Sequence, residues 1–333
     1  MPNEPRGGSN EISVIEQLLR WLDDGQEAAL AIVTETWGSS PCPAGSLLAI
    51  NEDRGFMGSV SGGCVEGAVV TEALALIKGK TFKRLEYGVT DEDAWQVGLA
   101  CGGRIGVFVT WVSNDWRKTL AALMDAQQEN RPTALVIDMS DASPTLKSKE
   151  EAPELFDTDK SRLVEGPADK MQFIGIFNPP LRLLIVGAVH IAQALATMAA
   201  ATGFQVTVID PRGAWATKDR FPTVTLDERW PREALQELKP DHRTAVVSLS
   251  HDPKLDDPAL VEALKSDALY IGALGSRRTH AKRLERLVEL GVDEEAFARI
   301  HGPIGLDIGA VTPAEIAVSI LAEIVSRLRA RNR

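Results

Sequence analysis

Between Leu183 and Ile209 the chain runs 27 residues without one Asp, Glu, Lys or Arg. A stretch of that length could span a bilayer, but its internal pattern points to burial in a folded domain. The run Leu183, Leu184, Ile185, Val186 gives way to Gly187, then to a small-residue helical segment over Ala192 to Ala201, then to Gly203 and a second β-type run from Val206 to Ile209. Strand, turn, helix and strand make one βαβ unit. Its strands read as unbroken apolar runs because helices cover both faces of a parallel sheet. The alternation continues with strands over Ala245 to Ser250 and Leu269 to Ile271, and helices near Arg232 to Leu238, Pro258 to Leu264 and Ser276 to Leu290. A doubly wound, Rossmann-like parallel sheet over residues 181–333 is the predicted fold of this half. Thr312-Pro313-Ala314-Glu315 reads as a capping box with Pro at the first helical position, opening a last helix that carries Ile316, Ile320, Ile324 and Leu328 on one face.

The first half reads differently. Residues 1–10 have the composition of a disordered tail. Ile12, Ile15, Leu18, Leu19 and Leu22 then recur at helical spacing until Gly25. Short β-type runs at Ala29 to Thr34, Ser46 to Ile50, Phe56 to Ser59, Thr81 to Tyr87, Arg104 to Val112 and Ala134 to Asp138 alternate with helical runs near Val65 to Ile77 and Trp116 to Asn130. A mixed α/β domain over 11–139 is expected. The segment 140–180, dense in Asp, Glu, Lys, Ser and Pro, is expected to be a linker with a connecting strand.

Composition then narrows the function. With 36 Lys and Arg against 47 Asp and Glu, the formal net charge is −11, which makes nucleic acid and anionic membranes poor partners. The three cysteines form no CxxC pair or disulfide scaffold, and the N-terminus carries no apolar leader core, so a cytoplasmic protein with reduced thiols is expected. No nucleophile elbow, Walker loop or HExxH occurs, and the five histidines show no metal-ligand spacing, so no protein-held metal is expected.

In the second half the fingerprint Gly187-Ala188-Val189-His190-Ile191-Ala192 lies between a strand and a helix, and Asp210 ends the next strand 23 residues after Gly187. That context fits a nucleotide whose ribose hydroxyls meet Asp210, with Val189 standing where backbone must approach a pyrophosphate closely. Two more loops fall at carboxyl ends of strands, Ser250-His251-Asp252 and Gly272 to Arg278. In the latter, Gly275, Ser276 and Arg277 have the makings of an anion site at a helix start. In the first half, Gly58-Ser59-Val60-Ser61-Gly62-Gly63-Cys64-Val65-Glu66 runs from a strand into a helix. Cys64 is expected in the first helical turn, where amides and the helix dipole favour a soft nucleophile or sulfur ligand. Cys101-Gly102-Gly103 offers a second thiol on flexible backbone. Cys42, between Pro41 and Pro43, reads as part of a structural turn.

Taken together, Trp37-Gly38-Ser39-Ser40-Pro41, Ala44-Gly45, Gly62 to Glu66, Val97-Gly98-Leu99 and Cys101-Gly102-Gly103 resemble the XdhC/CoxI domain. Gly187 to Ala192, Gly272 to Arg278 and Pro303-Ile304-Gly305-Leu306-Asp307-Ile308-Gly309-Ala310, running into Thr312 to Ala317, resemble that family's Rossmann half. The resemblance implies an accessory protein that binds molybdenum cofactor, as the mononucleotide or cytidine dinucleotide form, supports its sulfuration and hands it to a molybdenum hydroxylase of the xanthine or CO dehydrogenase type. It further implies a homodimer and a cysteine desulfurase as sulfur source. Cys64 and Cys101 would be the reactive thiols, with Gly62, Gly63, Glu66, Gly102, Gly103, Gly187, His190, Asp210, His251, Gly275, Ser276 and Arg277 in contact with the cofactor or an adenine nucleotide (ADP, FAD or NAD). Two other readings stay open on the residues alone: an NAD- or FAD-dependent oxidoreductase, and a nucleotide-binding regulatory module.

Overall fold

The computed structural model describes residues 10–38, 42–88, 103–156, 160–166 and 170–331. The chain divides at Pro179/Pro180 into two compact units.

The first unit runs α1 (Asn10–Asp23), β1 (Ala28–Trp37), β2 (Leu47–Asn51), β3 (Phe56–Gly58), α2 (Glu66–Gly79), β4 (Phe82–Tyr87), β5 (Arg104–Trp111), α3 (Asn114–Gln128), β6 (Thr133–Asp138), β7 (Pro144–Ser148), β8 (Arg162–Glu165) and β9 (Met171–Phe177). Strands β1 to β5 form an antiparallel sheet in the order β3-β2-β1-β5-β4. Alternation along β1 serves two cores. Ala28, Leu30 and Ile32 pack with Val14 and Leu18 of α1 and Leu120 of α3, while Ala29, Ala31 and Val33 pack with Val69, Ala73 and Leu76 of α2. The central strand is apolar from Ala28 to Val33 because both faces of this antiparallel sheet are covered there.

The segment 140–180 departs from the expected linker. It contributes β7, β8 and β9, which join β6 in a second antiparallel sheet, β7-β6-β9-β8. Phe173 and Phe177 of β9 enter the core shared with α1 and α3. Composition misleads here because β7 and β8 are short edge strands, and edges carry polar and charged side chains.

The second unit contains β10 (Arg182–Val186), α4 (His190–Ala201), β11 (Gln205–Ile209), β12 (Thr225–Asp227), α5 (Pro231–Leu238), β13 (Thr244–Ser248), α6 (Pro253–Leu264), β14 (Tyr270–Ala273), α7 (Arg277–Glu289), β15 (Ile300–His301) and α8 (Pro313–Arg331). Its six strands are all parallel, in the order β12-β11-β10-β13-β14-β15. Numbered within the unit, that is 3-2-1-4-5-6, the Rossmann order, whose switch point lies between β10 and β13. The capping box forms as expected: Thr312 N donates to Glu315 Oε2 at 2.9 Å, and Glu315 N to Thr312 Oγ1 at 3.3 Å. Ala317, Ile320 and Ile324 of α8 join Leu195 and Ala199 of α4 in one core over the sheet. Among the described residues no helix is long and apolar enough to cross a membrane, and the uncharged stretch is β10, α4 and β11.

Candidate functional sites

In the first unit, the registers Ile32 with Leu47, Leu48 with Gly58, Trp37 with Arg104 and Tyr87 with Ile105 bring five strand ends to one end of the sheet. The loops after β1 and β3 therefore emerge together, and contacts confirm it. Cys42 Sγ lies 3.7 Å from Ser59 Oγ, and a Cβ on Gly38 would stand 3.5 Å from the Gly103 Cα. Cys42 lies in the bend between β1 and β2, and its thiol touches the loop that carries Cys64. Trp37 is half exposed, with the Arg104 guanidinium 5.1 Å from its ring centre. Cys101 and Gly102 lie outside the described residues.

The loop from Ser59 to Val65 is organised by one carboxylate. Glu66 Oε1 accepts from Ser59 Oγ (2.6 Å), Val60 N (3.1 Å) and Ser61 N (2.9 Å), and Oε2 from Ser61 Oγ (2.5 Å) and Gly63 N (2.9 Å). The two hydroxyls work again as acceptors. Ser59 Oγ takes Gly62 N at 2.8 Å, and Ser61 Oγ takes Cys64 N and Val65 N, each at 2.9 Å. Burial alone would raise the Glu66 carboxyl, but bonds from Ser59, Ser61 and the amides outweigh it and hold it at about 2. Glu66 is 8% exposed and faces inward, so it shapes the loop from beneath.

Cys64 is not in the first helical turn. Helix α2 starts at Glu66 with Val65 as its cap, so Cys64 precedes the cap. Gly62 (φ +76°) and Gly63 (φ +115°) adopt left-handed conformations, and the amides that would open a helix bond Ser59, Ser61 and Glu66 instead. The amides of Gly62 and Gly63 are engaged inside the loop, so neither is open to an anion. What the glycines leave outside is bare backbone. A Cβ on Gly63 would meet nothing within 4 Å, and the thiol of Cys64 stands exposed beside it.

In the second unit, the carboxyl end of the parallel sheet gathers the fingerprint turn, the loop after β13, the loop after β14 and the segment after β15. The fingerprint turn is tight. Gly187 has φ +100°, and a Cβ there would lie 2.8 Å from Ser250 N and 2.9 Å from Ser250 Cα. Asp210 is fully buried, and its Oδ2 accepts from Ala188 N at 2.8 Å. Arg212 clasps the same carboxylate with Nε to Oδ1 at 2.8 Å and Nη2 to Oδ2 at 2.7 Å, and its own amide reaches Oδ1 at 3.0 Å. Burial pulls the Asp210 carboxyl up, and the bonds from Arg212 and Ala188 draw it below the usual carboxylate range. The expected ribose acceptor is therefore engaged by its own unit, along with one amide of the turn that would hold a pyrophosphate. Val189 caps α4 without a side-chain bond, and His190 is its exposed first residue.

The loops after β13 and β14 meet the segment 303–310 around a cavity of about 540 Å³. His251, Leu274, Gly275, Arg277, Gly305 and Asp307 are among its walls. His251 adopts a left-handed backbone (φ +62°), and Asp252 caps α6 by accepting from Lys254 N at 2.9 Å. Ser276 caps α7, accepting from Thr279 N at 3.2 Å. The segment after β15 is held by Glu323 of α8, which takes Tyr270 Oη (2.5 Å) and Gly305 N (2.8 Å) on Oε2 and pairs Oε1 with His301 Nδ1 (2.7 Å). Neither Glu323 nor the walls 303–310 stood out as site residues in the sequence; the Gly-rich spacing Gly302, Gly305, Gly309 was the available signal. Among the described residues no group of three His, Cys, Asp or Glu could hold a metal ion.

A Rossmann-ordered parallel sheet, carried in one chain with an antiparallel unit that presents a cysteine on a carboxylate-pinned loop, defines a two-unit protein of nucleotide-binding architecture. Comparison with known proteins makes this specific. Residues 21–88 match the model of the XdhC and CoxI family, and residues 183–324 match the XdhC Rossmann domain. The chain belongs to the XdhC and CoxI family. It is 31% identical over 306 residues to the molybdenum cofactor insertion chaperone PaoD of Escherichia coli (strain K12), covering 92% of this chain and 85% of that protein. A protein of Bacillus subtilis (strain 168) described as a probable xanthine dehydrogenase subunit is 29% identical, over 91% of this chain and 94% of its own. Among solved structures, a Bacillus halodurans protein described as a xanthine dehydrogenase superposes with a TM-score of 0.78 at 25% identity, covering 97% of this chain and 96% of that one.

Proposed function

We propose that this protein is a chaperone that binds molybdenum cofactor and supports its sulfuration and its insertion into a molybdenum hydroxylase of the xanthine dehydrogenase type, with Cys64 as the thiol that meets the cargo. The observation that carries the reading is an exposed thiol on a loop whose backbone is fixed by Glu66, with open space over Gly63. A soft sulfur ligand suits the dithiolene-bound metal end of the cargo, and a loop that holds its shape without the cargo reduces the ordering entropy of binding. Similarity to a cofactor insertion chaperone over most of both chains supports the same reading. The cargo supplies the redox metal. The chain supplies the thiol, the fixed loop and, in the second unit, a cavity of about 540 Å³ lined by Arg277, His251 and glycine backbone. An oxidoreductase reading fits less well, because the Ala188 amide and both Asp210 oxygens are engaged internally where a dinucleotide needs them. A client hydroxylase, a sulfur-donating desulfurase, a homodimer and a cytoplasmic setting belong to this proposal.

Cys64→Ser is the test. The side chain is exposed, so the variant should unfold within about 1 °C of the parent, as surface substitutions do. Cofactor retained on the purified protein, oxidised to its fluorescent pterin and quantified, should fall by about tenfold or more, and client activation should fall with it. Equal pterin on both proteins with full client activation would remove Cys64 from this role.

A further inference from the structure

Five helices of eight or more residues follow strands of the parallel sheet, α4 to α8, and α5 and α8 carry Glu233 and Glu315 in their first turns. Their charges differ. At α4 the buried Asp210 carboxylate takes the Ala188 amide just ahead of the cap. At α6 the cap is Asp252, with Asp256 in the first turn. Helix α7 has no acid in its first turn, begins with Arg277 and Arg278, and opens beside the cavity. The first-turn amides of Arg277 and Arg278 have no intrahelical acceptor, as in any helix.

A second feature lies behind that opening. Arg283 is 2% exposed, one of the largest fully enclosed side chains of the chain. Helical side chains lean toward the N-terminus, so its guanidinium is carried back to the mouth of α7. Nη2 donates to the Leu274 carbonyl at 2.7 Å and would lie 3.7 Å from a Cβ on Gly275. Leu274 and Gly275 are both cavity walls. Nε and Nη1 are buried without a partner, and so is Nδ1 of the neighbouring His280. Burying N–H groups of a cation unpaired is strongly unfavourable, and the acids that feel Arg283, Asp256 and Asp257, act on it at a distance while bonding Ser250 and Arg286. Asp307, exposed, is the one carboxylate among the cavity residues.

We infer that the mouth of α7 is the phosphate-binding subsite of this unit: a phosphoryl group enters the cavity, takes the amides of Arg277 and Arg278 and the Arg277 side chain, and is held against Gly275 by the charge of the Arg283 guanidinium behind that glycine. The fingerprint turn after β10 is then scaffold, and the phosphate end of the ligand sits at β14 and α7. The assignment deepens the chaperone reading, since the cargo ends in a phosphate or pyrophosphate. Yet it stands on its own for any phosphorylated ligand.

The experiment is a titration of the full chain, labelled with ¹⁵N-arginine, with inorganic phosphate against chloride at matched ionic strength, following the Arg277 and Arg278 amides. Saturable shifts at these two amides are expected. Arg277→Ala, an exposed change that leaves the fold alone, should weaken the apparent affinity by about tenfold, and Arg283→Met by at least as much. Shifts that stay linear, or that saturate equally in Arg277→Ala, would overturn the subsite. Adding molybdenum cofactor separates the two readings. Cofactor binding that leaves both amides unmoved sinks this assignment and spares the chaperone role, whereas saturable phosphate binding with no retained pterin does the reverse.

Discussion

Glu66→Gln is expected to lower the unfolding temperature of the first unit by about 10 °C and to strip hydrogen-exchange protection from the amides of Val60, Ser61, Gly63, Cys64 and Val65 by about a hundredfold. The carboxylate accepts five hydrogen bonds, three on one oxygen and two on the other. A glutamine keeps the shape but turns one acceptor into an NH₂ group. Whichever way the amide faces, at least two donors then oppose a donor. Ser61 cannot rotate to relieve this, because its oxygen already receives Cys64 N and Val65 N. Leaving two or three buried donors unsatisfied costs about 3 kcal/mol, and for a unit of this size each kcal/mol moves the transition by roughly 2–4 °C. The same carboxylate sets a pH signature. Its folded value of about 2 lies below the ordinary 4.5, so its contribution is fully present above the unfolded value and is lost as pH falls through about 2. The gap corresponds to roughly 3 kcal/mol as an upper bound. Loop protection in the parent should therefore decline between about pH 4 and pH 2, whereas Glu66→Gln should be flat there. A variant as protected as the parent, with the same acid limb, would show that Glu66 is not the organiser. Retained pterin should fall with protection, since the thiol of Cys64 would then lie on an unfixed loop.

Asp210→Asn separates scaffold from ligand contact in the Rossmann half. The expected result is a loss of about 3 kcal/mol, or about 10 °C, in the ligand-free protein. The carboxylate is fully buried and holds the Ala188 amide together with the Arg212 guanidinium and amide. An asparagine removes the charge that Arg212 balances and sets an NH₂ against one group of donors. Arg212 is partly exposed and stacks 4.5 Å from the Trp215 ring centre, so it can shed some of the penalty to water, which places the loss at the low end for a broken buried pair. Because the Asp210 carboxyl sits below its ordinary range, its stabilisation is present above the unfolded value and fades as pH drops through the folded one. A ribose acceptor would behave otherwise: the ligand-free variant would melt with the parent, and only nucleotide affinity would change. Calorimetry of both proteins without ligand decides between the two.

Much of the architecture is legible in the residues because it depends on neighbours in sequence. The uncharged βαβ stretch, the helical spacing of α1, the Ser276 cap and the Thr312 to Glu315 capping box are all set by local periodicity and by turn chemistry. Where the sequence reading fails, the deciding contacts are strand pairings for β7 and β8 and side-chain bonds within one loop for Cys64. Strands β7 and β8 look like linker because edge strands are polar, and only pairing with β6 and β9 makes them strands. Cys64 looks helical until Gly62 and Gly63 turn left-handed and the loop amides find Glu66 and the two serines. That the turn holding Cys42 meets Ser59 is likewise decided by the antiparallel registers.

The family and the Rossmann-like fold of the second half were thus determined by sequence alone, since motif, periodicity and capping are local and additive. The tertiary structure decided which groups remain available to a ligand. It engaged Glu66 and Asp210 within their own units, left the Cys64 thiol exposed, and enclosed Arg283 with two unpaired N–H groups behind Gly275. An N–H or carboxylate oxygen satisfied inside the fold is no longer open to a ligand, and which groups are satisfied depends on the loop conformation and packing that the folded backbone imposes.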